Sequence, residues 1–180
     1  MNPIQPIARQ AGFSLVELCA GLAVSSILMS QAIPGMQELR QRKALEAHAQ
    51  TVYVDLQQAR SEAVMRGQSV QMRFSQHSQG SCYLIHTGAS GDCRCSDAGE
   101  AVCRASAQPL KLEWLPASRQ VAVRANVGNL NFQARQGTVS SAGSVDVALA
   151  DGRAIRHVVS IAGRVRSCSP DGLVKPLPRC

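Results

Sequence analysis

From Phe13 to Ile33 the chain is built almost wholly of apolar and small residues, and the single charge in that run is Glu17. A helix needs about 20 such residues to cross the hydrocarbon core of a bilayer, so this segment is long enough to span one. Basic residues flank it on both sides, with Arg9 before it and Arg40, Arg42 and Lys43 after it, so a count of positive charge does not fix its orientation. A secretory signal carries its small-residue cleavage site after the apolar core. Here the small pair Ala11-Gly12 stands before the core, so the secretory reading fits poorly, and an ordinary signal anchor with a tolerated Glu near the interface is the bland alternative. The carboxylate is the second constraint. An acid within a bilayer costs about 2.5–3.5 kcal/mol on insertion scales, so Glu17 demands a partner.

Beyond Pro34 the pattern continues as a helix. Leu45, Ala49, Val52, Leu56, Ala59 and Ala63 recur at steps of four and three, which puts them on one face, and Gly67 is a suitable stop. From Gln68 the period changes to two, as in Val70-Gln71-Met72-Arg73-Phe74 and Gly128-Asn129-Leu130-Asn131-Phe132-Gln133. Further strands are expected at 82–86, 110–115, 121–124, 144–149, 155–161 and 164–167. The stretch from Thr87 to Ala107 is rich in Gly, Ser, Asp and Cys and reads as a tethered loop. The proline-containing tail, Ser169 to Cys180, is expected to form an irregular lid over a sheet edge. Together these pieces predict an α+β fold, with a long N-terminal helix whose outer half packs on an antiparallel sheet.

Seven cysteines bear on compartment and stability. Cys19 lies within the apolar run and reads as a small apolar residue. The other six, Cys82, Cys93, Cys95, Cys103, Cys168 and Cys180, form an even set that suits three disulfides outside the cytoplasm. Cys168 and Cys180 stand apart from the rest and are expected to pair, whereas the connectivity of the other four is open. Zinc is disfavoured, because those four lack the paired Cys-x-x-Cys spacing of structural sites. No catalytic constellation is visible: His48, His77, His86 and His157 have no nucleophile at a useful spacing, and no phosphate-cradling glycine loop occurs. No cofactor is expected.

The segment Gly12-Phe13-Ser14-Leu15-Val16-Glu17-Leu18 resembles the class III signal of type IV pilins and type II secretion pseudopilins. The resemblance implies cleavage after Gly12 by a prepilin peptidase and methylation of the new terminus at Phe13. It also implies that Glu17 pairs with the amino group of a neighbouring subunit, which supplies the partner a charge in apolar surroundings requires. Pro34 sits where members of the family often have a helix-kinking proline. The glycine-centred hairpins of the C-terminal third, from Leu130 to Gly137 and from Val145 to Arg166, are similar to the FimT/GspH branch of that family. The implied organisation is a leader over 1–12, a transmembrane and assembly helix over 13–33, an amphipathic continuation over 34–67 and a periplasmic β-rich domain over 68–180. The implied protein is a single-pass component of the inner membrane with the type IV pilin fold, which joins other pilins in a fibre through its N-terminal helix.

Charge points to a ligand. The chain has a formal charge of +7, and from Ala101 onward eleven Arg or Lys face four acids. A basic half of this kind suits an anionic partner, although an ordinary solvated surface has the same look. In an extended strand Arg164 and Arg166 project to one side about 7 Å apart. Arginine grips phosphate oxygens with a planar fork, and Gly163 permits a tight turn that could bring Arg153 or Arg156, on the preceding strand, close by. Lys175 and Arg179 extend the same charge. Gly163-Arg164-Val165-Arg166 resembles the DNA-binding motif of FimT-type pilins, which act in natural transformation. Few aromatic residues remain to stack on single strands, so double-stranded DNA bound by its backbone, without sequence preference, is the expected ligand. Two alternatives need no DNA: a GspH-like pseudopilin of a type II secretion system, and a minor pilin that primes pilus assembly.

Overall fold

The computed structural model describes residues 14–104 and 106–180, so Gly12 and Phe13 lie outside the described residues. One helix, α1 (Leu15–Arg66), runs through two compact units, the first ending at Arg40 and the second spanning Gln41–Cys180.

In the first unit the large apolar side chains of α1 are all exposed, from Leu15 and Val16 through Leu22, Ile27, Leu28 and Met29 to Ile33 and Leu39. Ser14 starts the helix: its Oγ accepts the Glu17 backbone N–H at 3.3 Å, satisfying one of the amides a helix start leaves open. Ser25, Ser26 and Ser30 donate their hydroxyls to the carbonyls of Gly21, Ala23 and Ile27 at 2.7–2.8 Å. Each of these three hydroxyls is therefore satisfied within the helix, which suits an apolar environment. The window is long and apolar enough to cross a membrane. The backbone remains helical through residue 34.

The second unit is a helix on two sheets. Its stretch of α1 buries Leu45, Ala49, Val52, Leu56, Ala59 and Ala63, each at most 3% exposed, the same residues the periodicity aligned. Beyond α1 come β1 (Val70–His77), β2 (Gly80–Thr87), β3 (Cys93–Cys95), β4 (Ala101–Cys103) and β5 (Pro109–Pro116). A short 3-10 turn at Ala117–Arg119 then leads into β6 (Val121–Ala125), β7 (Asn129–Phe132), β8 (Gly143–Leu149), β9 (Ala154–Val159) and β10 (Val165–Cys168). One antiparallel sheet has the order β5-β2-β1-β7 and the other β10-β9-β8-β6. Alternation along β8, with Val145, Val147 and Leu149 buried, turns one face of the second sheet into the core. Met72, Tyr83, Leu115, Leu130, Phe132 and Val159 join the helix stripe in that core.

A buried polar clamp fixes α1 to the first sheet. Asp55 on α1 is 1% exposed and accepts hydrogen bonds from the Tyr83 hydroxyl and the Lys111 ammonium, both at 2.6 Å. Burial, reinforced by the Asp55 carboxylate, pushes the Tyr83 phenol far above its ordinary range, so it remains a donor.

The segment from Thr87 to Ala107 differs from the expected loop. It holds the β3–β4 hairpin, in register Cys93 to Cys103, pinned by Cys93–Cys103 and tied to β2 by Cys82–Cys95. Three-residue strands have too little pattern to be read from sequence, and the hairpin is held by its crosslinks together with a small apolar cluster that includes Leu84, Leu112 and Trp114. Cys168 pairs with Cys180, which fastens the tail. That tail is more than a lid, since Val174 within it is buried in the main core.

Candidate nucleic-acid interface

β9 and β10 form an antiparallel hairpin in the register Val165 to Val159 and Cys168 to Arg156. Ser160 closes its turn: its N–H donates to the Arg164 carbonyl at 3.0 Å, its Oγ lies 3.3 Å from the Arg164 N–H, and its carbonyl accepts the Gly163 N–H at 2.8 Å. Gly163 has φ +73°, in the left-handed region, and a side chain there would run into the carbonyl oxygen of Gly137. Glycine is needed for both conformation and room. The Val139 N–H donates to the Ile161 carbonyl at 2.8 Å, so the Gly137 and Gly163 turns lie side by side.

The pleat then assigns directions. Val165 packs on the core and Ser167 meets the buried His157, with Oγ 2.9 Å from Nδ1, while Arg164 and Arg166 are both exposed on the opposite face. Among the described residues neither arginine has an acidic partner.

The two arginines placed beside them by sequence reasoning are held differently. Arg156 lies diagonal to Arg166 on the same face but forks onto Asp146 of β8, with contacts of 2.6 and 2.7 Å. That hydrogen-bonded pair raises the Arg156 guanidinium above its ordinary range and spends its charge within the sheet. Arg153 stands at the other end of β9, remote from the Gly163 turn along the strand. It pairs with Asp151 at 2.7 Å and reaches Gln41 at 3.2 Å. Its side-chain hydrogen bond holds the Asp151 carboxyl below the usual range. The turn thus gathers Arg164 and Arg166, and it does not bring Arg153 to them. The sequence holds a hint, since Asp151-Gly152-Arg153 is a turn with its own counter-ion. The Asp146–Arg156 pair depends on strand register and has no such local sign. Lys175 and Arg179 are exposed on the tail.

Two basic residues that sequence reasoning did not single out approach the same turns. Positions built for a Cβ on Gly137 and Gly163 lie 2.7 and 3.0 Å from side-chain atoms of Arg60, on α1. Arg135 is exposed in the turn that ends at Gly137. The visible signal was weak: Arg60 adjoins Ala59 at the edge of the buried stripe.

His157 makes the hairpin sensitive to acid. Burial lowers its affinity for a proton below that of ordinary imidazole. The backbone of Ala49 and the carboxylate of Asp146 oppose this in part, although Nε2 has no partner of hydrogen-bond geometry. The unfolded chain binds a proton below about pH 6.5 while the folded ring resists it, so stability should fall as pH drops below that value. Urea midpoints over a pH series should fall more steeply for the parent protein than for His157→Gln between roughly pH 6.5 and 5. Parallel curves would remove His157 as the cause.

Among the described residues no group of three or more His, Cys, Asp or Glu is placed to hold a metal ion.

Residues 48–163 match the family model described as type II transport protein GspH. The crystal structure of the type IV minor pilin FimU of Pseudomonas aeruginosa superposes with a TM-score of 0.51 at 23% identity, covering 69% of this chain and 88% of that one. The minor pseudopilin EpsH of the type 2 secretion system of Vibrio cholerae gives a TM-score of 0.45 at 14% identity, covering 70% and 97%. No curated protein sequence matches the chain. The FimU likeness is one of fold, the type IV pilin fold, and the family match ends at Gly163, just before the two exposed arginines.

Proposed function

Because the chain belongs to the GspH family of minor pilins and pseudopilins, we propose that it is a minor pilin that binds double-stranded DNA through Arg164 and Arg166 and serves DNA uptake in natural transformation. The observation that carries this reading is the exposure of both arginines on one face with no acidic partner among the described residues, beside an Arg156 already neutralised by Asp146. Two forks pointing to solvent from a rigid hairpin suit contact with phosphate oxygens and carry no base-reading geometry. Binding should be indifferent to sequence and weak per subunit, with a Kd on the order of micromolar or poorer at physiological salt.

The remaining parts of the proposal concern assembly. The leader is removed after Gly12 by prepilin peptidase, Phe13 becomes the methylated terminus, and Glu17 pairs with that amino group on a neighbouring subunit. The exposed apolar helix anchors the chain in the inner membrane before assembly and packs against other pilins in the fibre afterwards. The organisation follows: leader 1–12, membrane helix 13–33, its continuation 34–67 and a periplasmic head 68–180.

The test is a titration of the full chain, held in detergent micelles or nanodiscs, against duplex DNA of arbitrary sequence at several salt concentrations. Arg164→Gln and Arg166→Gln should each lower the logarithmic salt slope by about one unit. An unchanged slope in the double variant would remove these arginines from function. The family description itself favours a second reading, a GspH-like pseudopilin of a type II secretion system. Loss of protein secretion rather than of transformation in cells lacking the chain would select it.

A further inference from the structure

We infer that Arg60 and Arg135 complete one phosphate-binding surface with Arg164 and Arg166, spread over two adjoining turns and shaped for the backbone of duplex DNA. The inference rests on the DNA reading above and adds two contacts to it. The two turns act as one support: the Val139 N–H is bonded to the Ile161 carbonyl at 2.8 Å, and Gly163 abuts the carbonyl of Gly137. Both glycines have positive φ, +60° at Gly137 and +73° at Gly163. The room left by their missing side chains is bordered by a third element, α1. Cγ of Arg60 lies 2.7 Å from the Cβ position of Gly137, and its Nε lies 3.0 Å from that of Gly163. The stem of Arg60 therefore lies along the seam between the turns, and the residue as a whole is only half-buried.

Arg135 completes the group from the first turn, which is closed by the Gly137 N–H on the Gln133 carbonyl at 3.0 Å. It is exposed, as are Arg164 and Arg166 beyond the second turn. Among the described residues no Asp or Glu pairs with any of the four, whereas Arg42, Arg66, Arg153 and Arg156 each meet a carboxylate within 3.0 Å. Like charges gathered without counter-ions repel one another, and a multiply charged anion relieves that repulsion. A ligand with one phosphate would satisfy one fork. A polyanion resting across both turns engages several, and each phosphate neutralised releases counter-ions.

The experiment repeats the salt titration with Arg60→Gln, Arg135→Gln and their double variant in the full chain, alongside the Arg164→Gln, Arg166→Gln pair. Each of Arg60 and Arg135 should contribute about one unit of logarithmic slope. Arg60→Lys keeps the charge without the fork and should restore the slope that Arg60→Gln loses, an effect a packing role for Arg60 would not produce. If the Arg164, Arg166 pair changes the slope and the Arg60, Arg135 pair does not, this inference falls and the DNA reading stands. If neither pair changes it, both fall. Should Arg60→Gln fail to fold, Arg135→Gln and Arg60→Lys decide: a slope unaltered by the first, or lost in the second, overturns the inference.

Discussion

Asp55→Ala is expected to destabilise the folded head by about 3–5 kcal/mol, the range measured when one member of a buried pair is removed. Asp55 is the shared acceptor for two donors from different strands, the Tyr83 hydroxyl on β2 and the Lys111 ammonium on β5. Alanine would leave the Tyr83 hydroxyl buried without an acceptor and Lys111 without its counter-charge. The lysine side chain is 35% exposed, so water can take over part of its solvation, which places the expected loss toward the lower end. Asp55→Asn keeps an acceptor for the phenol and should cost less. Urea unfolding of the full chain in detergent, followed by Trp114 fluorescence, measures both variants. A change of less than about 1 kcal/mol for Asp55→Ala would mean that the clamp is not formed.

Gly163→Ala should be nearly as damaging, at about 3 kcal/mol. A left-handed conformation costs an L-residue about 1–2 kcal/mol, and the added methyl would collide with the Gly137 carbonyl, adding about 1–3 kcal/mol of forced backbone movement. Gly152→Ala supplies the comparison. Its φ is +95° but nothing lies within 4 Å of its Cβ position, so it should lose only the conformational part. Equal denaturation midpoints for the two variants would mean that the turns do not abut. Because Gly163→Ala also pushes the two turns apart, its DNA binding should fall with its stability, whereas the Arg164 and Arg166 variants should lose binding and keep their midpoints. Those two outcomes together would assign the glycine of the Gly-Arg-x-Arg sequence to architecture and its arginines to contact.

Much of this molecule is written in local pattern. The helix stripe from Leu45 to Ala63 and the alternation in β1, β7 and β8 are set by the periods 3.6 and 2.0, which survive any tertiary context that has one apolar side. The pairing of Cys168 with Cys180 follows from their isolation along the chain. The β3–β4 hairpin was not legible, because its strands are too short for a period and it is held by two crosslinks and contacts with distant apolar residues such as Leu84 and Trp114. Asp55 was not legible either. It interrupts an apolar helix face with a charge, and its two donors lie 28 and 56 residues away in sequence.

The same division governs the candidate interface. By itself the sequence determined a membrane-length helix with one acid, an α+β head and a basic C-terminal third, because hydropathy, period and net charge are sums over neighbouring residues. Which arginines remain available was decided only by the tertiary structure. Strand register set Asp146 opposite Arg156 and closed that charge off, and the meeting of two distant glycine turns brought Arg60 beside Gly163. Ion pairing falls off within a few ångströms, so it follows proximity in space, which the order of residues does not contain.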